Sequence, residues 1–239
     1  EFRRVLFRSL DGKGKDDPNA FEDPETHERG IDHQLFRALG CIEPFRGTLQ
    51  HDPAFWIFMW TTEKDTAPAW LISVSGDDLS KDGPVTVTFG RALEPTKFNG
   101  NGEARADMTF RWDPDKRLQQ NSFKGEIKDG MISVASTENL HLLQDPLTFP
   151  SFDLHRLHAR FKINPDGTLS GFIGGYQPIE QVYFALGQGN LAAEDNFSPE
   201  LPGMYHAMRK LADGDPDPKT GQNWSISATY KLNAVPAFV

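Results

Sequence analysis

The chain has 239 residues, 38% of them apolar, with five Trp, eighteen Phe, 21 Gly and 17 Pro, and a formal net charge of −9. This composition argues for a packed, turn-rich fold and against disorder, and no apolar run approaches the ~20 residues of a membrane-spanning helix. The negative charge makes nucleic acid an unsuitable partner, since binding phosphates needs clustered Lys and Arg; with Cys41 as the single cysteine, no intrachain disulfide or cysteine-rich zinc site can form.

The opening EFRRVLFRSL holds an apolar run too short for a signal peptide or an amphipathic anchor. Codons for Glu1 to Ser9 can be chosen as GAG TTC AGA CGT GTG CTC TTC CGA TCT, a string that matches the end of a common short-read sequencing adapter. We read 1–9 as a non-native, adapter-derived segment on a chain truncated at its N-terminus and set it aside from fold reasoning. Removing Glu1, Arg3, Arg4 and Arg8, which together carry +2, takes the net charge from −9 to −11.

Residues 10–30 are expected to form an acidic loop, and 31–239 a single β-rich domain. Asp11, Asp16 and Asp17 place hard oxygen ligands on a Gly-rich loop, a donor set suited to calcium; the plain alternative is a solvated turn. In GIDHQLFRALG, Ile31, Leu35 and Leu39 recur at helical spacing and Gly40 is a natural stop. Cys41, just beyond, is expected to be a buried small residue. FWIFMW (55–60) and WLISVSG (70–76) read as buried strands.

Alternation then predicts strands at 85–89, 108–112 and 224–232, and hairpins at 123–134 and 157–176. In the second hairpin Leu157, Ala159 and Phe161 face one way, and His158, Arg160 and Lys162 the other. Histidines 155 and 158, three apart on a strand, are expected on opposite faces, which speaks against a metal pair there. GFIGGYQP (171–178) reads as a strand-to-helix corner, since it lacks the Lys and Ser/Thr of a phosphate loop. Helices follow at 177–187 and 198–214, the second with Leu201, Met204, Tyr205, Met208 and Leu211 on one stripe. The fold class is mainly β, an antiparallel sandwich or barrel with about three short decorating helices.

DGDPDPKTG (213–221) spaces Asp213, Asp215 and Asp217 like the first ligands of an EF-hand. Pro218 and Trp224 stand where that motif needs Gly and Glu, so the choice lies between a looser calcium site and a rigid Asp-Pro turn. Trp112, Tyr176 and Trp224 are the candidate ligand-binding aromatics. No nucleophile motif is present. Glu126, Asp129, Glu138 and Glu180 are carboxylates without distinguishing context, and paired carboxylates for glycan hydrolysis need only meet in space.

The start DG…GIDHQL (residues 11–12 and 30–35), with the DGTLSGFIGGY hairpin, resembles a group of exported bacterial proteins with a D-L-D-G…G-I-D-N-Q-L pattern. His33 stands where that pattern has Asn. The resemblance implies a periplasmic or extracellular protein and structural Ca2+, but no activity. The expected function is therefore non-enzymatic: an exported, calcium-stabilised β-sandwich that binds a small molecule, glycan or protein partner. The alternatives are a glycan- or ester-directed hydrolase and a structural component of a cell-envelope complex.

Overall fold

The computed structural model describes residues 21–22, 29–31, 33–46, 64, 66–118, 121–143, 151–188 and 201–239. The predicted strand 55–60 and the acids Asp11, Asp16 and Asp17 lie outside the described residues.

The protein is mainly β. In chain order the strands are β1 (Phe21–Glu22), β2 (Arg29–Ile31), β3 (Pro68–Ser75), β4 (Gly83–Pro95), β5 (Met108–Thr109), β6 (Ser122–Lys128), β7 (Met131–Ala135), β8 (Leu140–Leu143), β9 (Ser151–Ile163), β10 (Leu169–Pro178), β11 (Gly214–Pro216), β12 (Asn223–Ala234) and β13 (Ala237–Phe238). The helices are α1 (Gln34–Leu39), α2 (Glu43–Arg46), α3 (Ile179–Gln188) and α4 (Leu201–Leu211). An antiparallel sheet runs in the order β11-β12-β10-β9-β7-β6-β4-β3, with β8 paired to β9. The described residues fall into two compact units: those within 1–61 and 174–229, which carry the helices, and those within 62–146, 150–173 and 230–239, which are built of strands.

In the strand unit, alternation decides what is buried. Val85, Val87 and Phe89 of β4, Phe123 and Ile127 of β6, and Ile132 and Val134 of β7 enter one core, while Lys124, Glu126, Lys128 and Ser133 stay exposed. Each fully buried side chain of this size contributes about 1.5–3 kcal/mol. The β6–β7 turn puts Asp129 at φ 52° and Gly130 at φ 73°, the two left-handed residues of a tight hairpin.

β9 departs from simple alternation. Leu154 and Leu157 are both fully buried in the same core, although only two residues separate them. Arg156, at φ 54°, sits at a β-bulge whose extra residue lies on the partner side, where residues 136–139 stand against 155–157. Before the bulge β9 pairs with β8, Leu140 opposite Leu154; after it β9 pairs with β7, Ala135 opposite His158. The bulge restores phase, so His155 and His158 share the outer face. This corrects the expectation that they point apart.

The predicted strand 108–112 is shorter than its pattern. β5 pairs in parallel with the C-terminal β13. The chain then turns to β4, where Trp112 bridges Ala92 and Arg91 donates to Asp113 through Nε (2.9 Å) and Nη2 (2.5 Å). The Trp112 indole lies on Gly90, where an added Cβ would come within 2.3 Å of the ring.

In the helical unit, α1 and α3 both pack on α4. The predicted stripe of α4 is realised: Met204 and Met208 are buried, and Leu201, Tyr205 and Leu211 pack beside Ile179, Val182 and Leu186 of α3. Gly40 closes α1 by donating to the Phe36 carbonyl. Cys41 is exposed rather than buried, because it follows that cap instead of continuing the apolar face.

Gly90→Ala is expected to destabilise the protein by about 1–3 kcal/mol, because backbone gives Trp112 its seat. Equilibrium urea unfolding checks this; an unchanged midpoint would mean that the indole moves aside freely.

Candidate functional site

In the helical unit a connected group of polar side chains is built from the DGD sequence at 213–215. β11 pairs with β12, Gly214 opposite Ser225. Asp213 and Asp215 flank the pairing and meet alternate serines of β12. Ser227 donates its N–H to Asp213 Oδ1 (2.7 Å) and its hydroxyl to Asp213 Oδ2 (2.7 Å). Ser225 donates its hydroxyl to Asp215 Oδ2 (2.6 Å). Ser225 and Ser227 are buried. Gly214, between the two acids, is required by Tyr176: a Cβ there would lie 2.0 Å from the ring.

Helix α1 is tied to the same strand. The Gln34 N–H donates to Ser227 Oγ (3.1 Å), satisfying a first-turn donor that has no partner within the helix. The Thr229 N–H donates to His33 Nδ1 (3.2 Å). That bond requires an unprotonated Nδ1, and burial pushes the His33 pKa down to about 4.

Asp213, Ser227 and His33 therefore lie close together on three segments, but their bonding is not that of a hydrolytic triad. The Ser227 hydroxyl proton is committed to a carboxylate, not to an imidazole. Its oxygen accepts from a backbone N–H, and the residue is 0% exposed. A nucleophile needs an open face and a base positioned to take its proton. The arrangement is a structural lock.

Asp217 closes the following turn, accepting the N–H groups of Lys219 (2.7 Å) and Thr220 (2.8 Å). These two bonds are the main cause of its lowered pKa, and the Trp224 indole N–H adds to them. Trp224 is 39% exposed. The Arg209 guanidinium lies 4.1 Å from the centre of its ring, within cation–π range. Arg209 Nη1 also donates to the Asn223 carbonyl (2.7 Å). Two predicted residues, Asp217 and Trp224, thus come together, and Arg209 joins them. Arg209 carried no sequence signal beyond its place off the apolar stripe of α4.

The other predicted residues lie elsewhere. Trp112 packs on Gly90, and Tyr176 is 1% exposed with its ring against Gly214. Among the described residues, no group of three His, Cys, Asp or Glu is placed to hold a metal ion. His141 pairs with Asp153, its cross-strand neighbour. Glu126, Glu138 and Glu180 are exposed on separate elements, and Asp129 is the turn residue described above. Comparisons with family models, curated proteins and solved structures find no match to this chain.

Ser227→Ala leaves the Gln34 N–H and Asp213 Oδ2 without these partners in a buried setting. A loss of about 2–3 kcal/mol is expected in urea unfolding; a loss under about 0.5 kcal/mol would show that the lock is dispensable. His33 supplies a pH test. Below pH ~6.5 the unfolded chain takes up a proton that the folded chain refuses until about pH 4. Stability therefore falls as pH drops through that window and is fully present above it. In His33→Asn the amide oxygen can accept from Thr229 N–H and does not titrate. Between pH 7 and pH 4.5, wild type is expected to lose about 2 kcal/mol more than the variant; parallel losses would show that His33 titrates normally.

Proposed function

We propose that this protein is an exported, non-enzymatic binding protein whose ligand face is formed by Trp224, Arg209 and Asp217, and that its ligand is a glycan. One observation carries the reading: a large aromatic ring remains 39% exposed beside a guanidinium that is hydrogen-bonded to backbone, while the neighbouring carboxylate is held by two backbone N–H groups. An amphipathic ring suits the apolar face of a sugar, and fixed polar groups at its edge suit the hydroxyls. Export rests on the resemblance of the DG…GIDHQL start. The non-enzymatic reading is supported by the lock, which occupies the residues that most resemble catalytic ones.

A structural calcium ion belongs to the same proposal, on Asp11, Asp16 and Asp17, because Asp213, Asp215 and Asp217 each hold hydrogen bonds that shape β11 and its turn.

A glycan array probed with the full chain is expected to yield at least one binder, and Trp224→Ala is expected to weaken it about tenfold or more. Equal binding by the variant, or none by wild type, would overturn the assignment. In thermal unfolding, millimolar calcium is expected to raise the midpoint where magnesium does not. The rise should vanish in Asp11→Ala and persist in Asp215→Ala; no rise would leave both acidic loops as turns.

A further inference from the structure

The face of β9 opposite the core carries three cationic side chains, Arg156, Arg160 and Lys162. The bulge at Arg156 brings His155, Arg156, His158, Arg160 and Lys162 onto the side opposite the buried Leu157, Ala159 and Phe161. Across the ladder, Lys162 faces Met131, Arg160 faces Ser133 and His158 faces Ala135, so the adjacent strand offers no acid to these positions. The acid on the next strand, Glu126, pairs with Ser133, which puts its backbone about 10 Å from that of Arg160. Asp153, on the same face before the bulge, pairs with His141.

Arg160 stands out within this row. Its Nε and Nη1 atoms are buried and have no hydrogen-bond partner. A guanidinium presents two N–H forks, Nε with Nη2 and Nη1 with Nη2, and each fork contains one of these unpartnered nitrogens. The group is permanently charged, so it cannot escape burial by losing a proton. Its backbone is fixed: β10 approaches so closely that a Cβ at Gly171 would lie 1.9 Å from the Arg160 carbonyl oxygen. Ser133, directly opposite in the ladder, is exposed.

A desolvated guanidinium whose Nε and Nη1 have no acceptor, flanked by Arg156 and Lys162 and across the ladder from Ser133, is the complement of a planar or tetrahedral oxyanion. We propose that Arg160 is the anchor of an oxyanion-binding site on the outer face of the strand unit, which takes the carboxylate or phosphate group of a ligand in bidentate fashion with Ser133 as a supporting donor. Lys162 and Arg156 supply long-range attraction, while the fork supplies the geometry. The site is independent of the Trp224 face and does not rest on the glycan reading.

The test titrates the full chain with inorganic phosphate and, separately, with acetate, against sodium chloride at matched ionic strength. It reads the thermal midpoint and the Arg160 Nε–Hε resonance. The expected result is a saturable rise of roughly 5–11 °C at about a hundredfold excess over Kd, with movement of that resonance. Tighter response to phosphate or to acetate assigns the ligand class. Arg160→Met, which removes the buried donors, should fold and lose the rise; Arg160→Lys, which keeps charge without the fork, should weaken binding tenfold or more. Trp224→Ala should leave it intact. The proposal fails if both oxyanions act only as chloride does, if Arg160→Met keeps the rise, or if the resonance does not move.

Discussion

The bulge at Arg156 is the constraint on which the strand unit depends. A strand of alternating side chains cannot place both Leu154 and Leu157 in one core, yet both are fully buried. One residue in a left-handed conformation, set against an extra residue on the partner side, shifts the phase by half a period. Its effects reach well beyond local geometry. β9 serves β8 on one side of the bulge and β7 on the other, so Leu140 and Leu142 join the same core as Ile132 and Val134. The hydrogen bonds follow: Arg156 N–H finds Asn139 Oδ1 (3.2 Å), and Ser136 N–H and the Leu157 carbonyl close the gap between the ladders (2.9 Å). A left-handed conformation is unfavourable for arginine, and this bonding together with two buried leucines over-determines it.

The helical unit solves a different problem. Its apolar cluster is made of helix faces, and helices packed on a strand leave polar ends to be satisfied. The β11–β12 ladder is short, and Asp213 and Asp215 extend it with side chains. Two carboxylates accept from two serine hydroxyls and one N–H, and one of those serines then accepts from the first turn of α1. A buried carboxylate without such donors would be strongly disfavoured. The low pKa of His33 belongs to the same logic: the imidazole is held neutral because its Nδ1 must accept. The segment that aligns α1 on β12 is therefore also the segment whose stability responds to acid.

Much of this architecture was legible in the chain. The hairpin at 123–134, the strand at 224–232 and the stripe of α4 follow from periodicities of two and 3.6 that tertiary contacts reinforce. What was not legible depended on pairing across distance. The doublet at His155 and Arg156 gives no sign of a bulge, because only the second buried leucine shows that the phase has slipped. Strand 108–112 alternates well, but its neighbours change from β13 to β4 within three residues, which no local pattern records. The acids of DGDPDP have the donor chemistry of a cation site, and their hydroxyl partners lie 10 and 14 residues away on β12. Sequence showed the donor chemistry but not what would meet it.

The aromatic candidates show how position divides one residue class. Trp112, Tyr176 and Trp224 all border polar segments in the sequence. Trp112 and Tyr176 each face a glycine, Gly90 and Gly214, and the absence of a Cβ draws the ring flat against backbone. Trp224 has no such glycine. The long side chain of Arg209 lies over the Trp224 ring, and 39% of the residue stays exposed. An aromatic ring becomes core where a neighbour is small enough to yield its space, and remains a surface feature where the neighbour is charged and needs water at its tip. That rule separates Trp224 from the other two, and it turns on residues 22 positions before Trp112 and 38 after Tyr176, too far along the chain for local pattern to reveal.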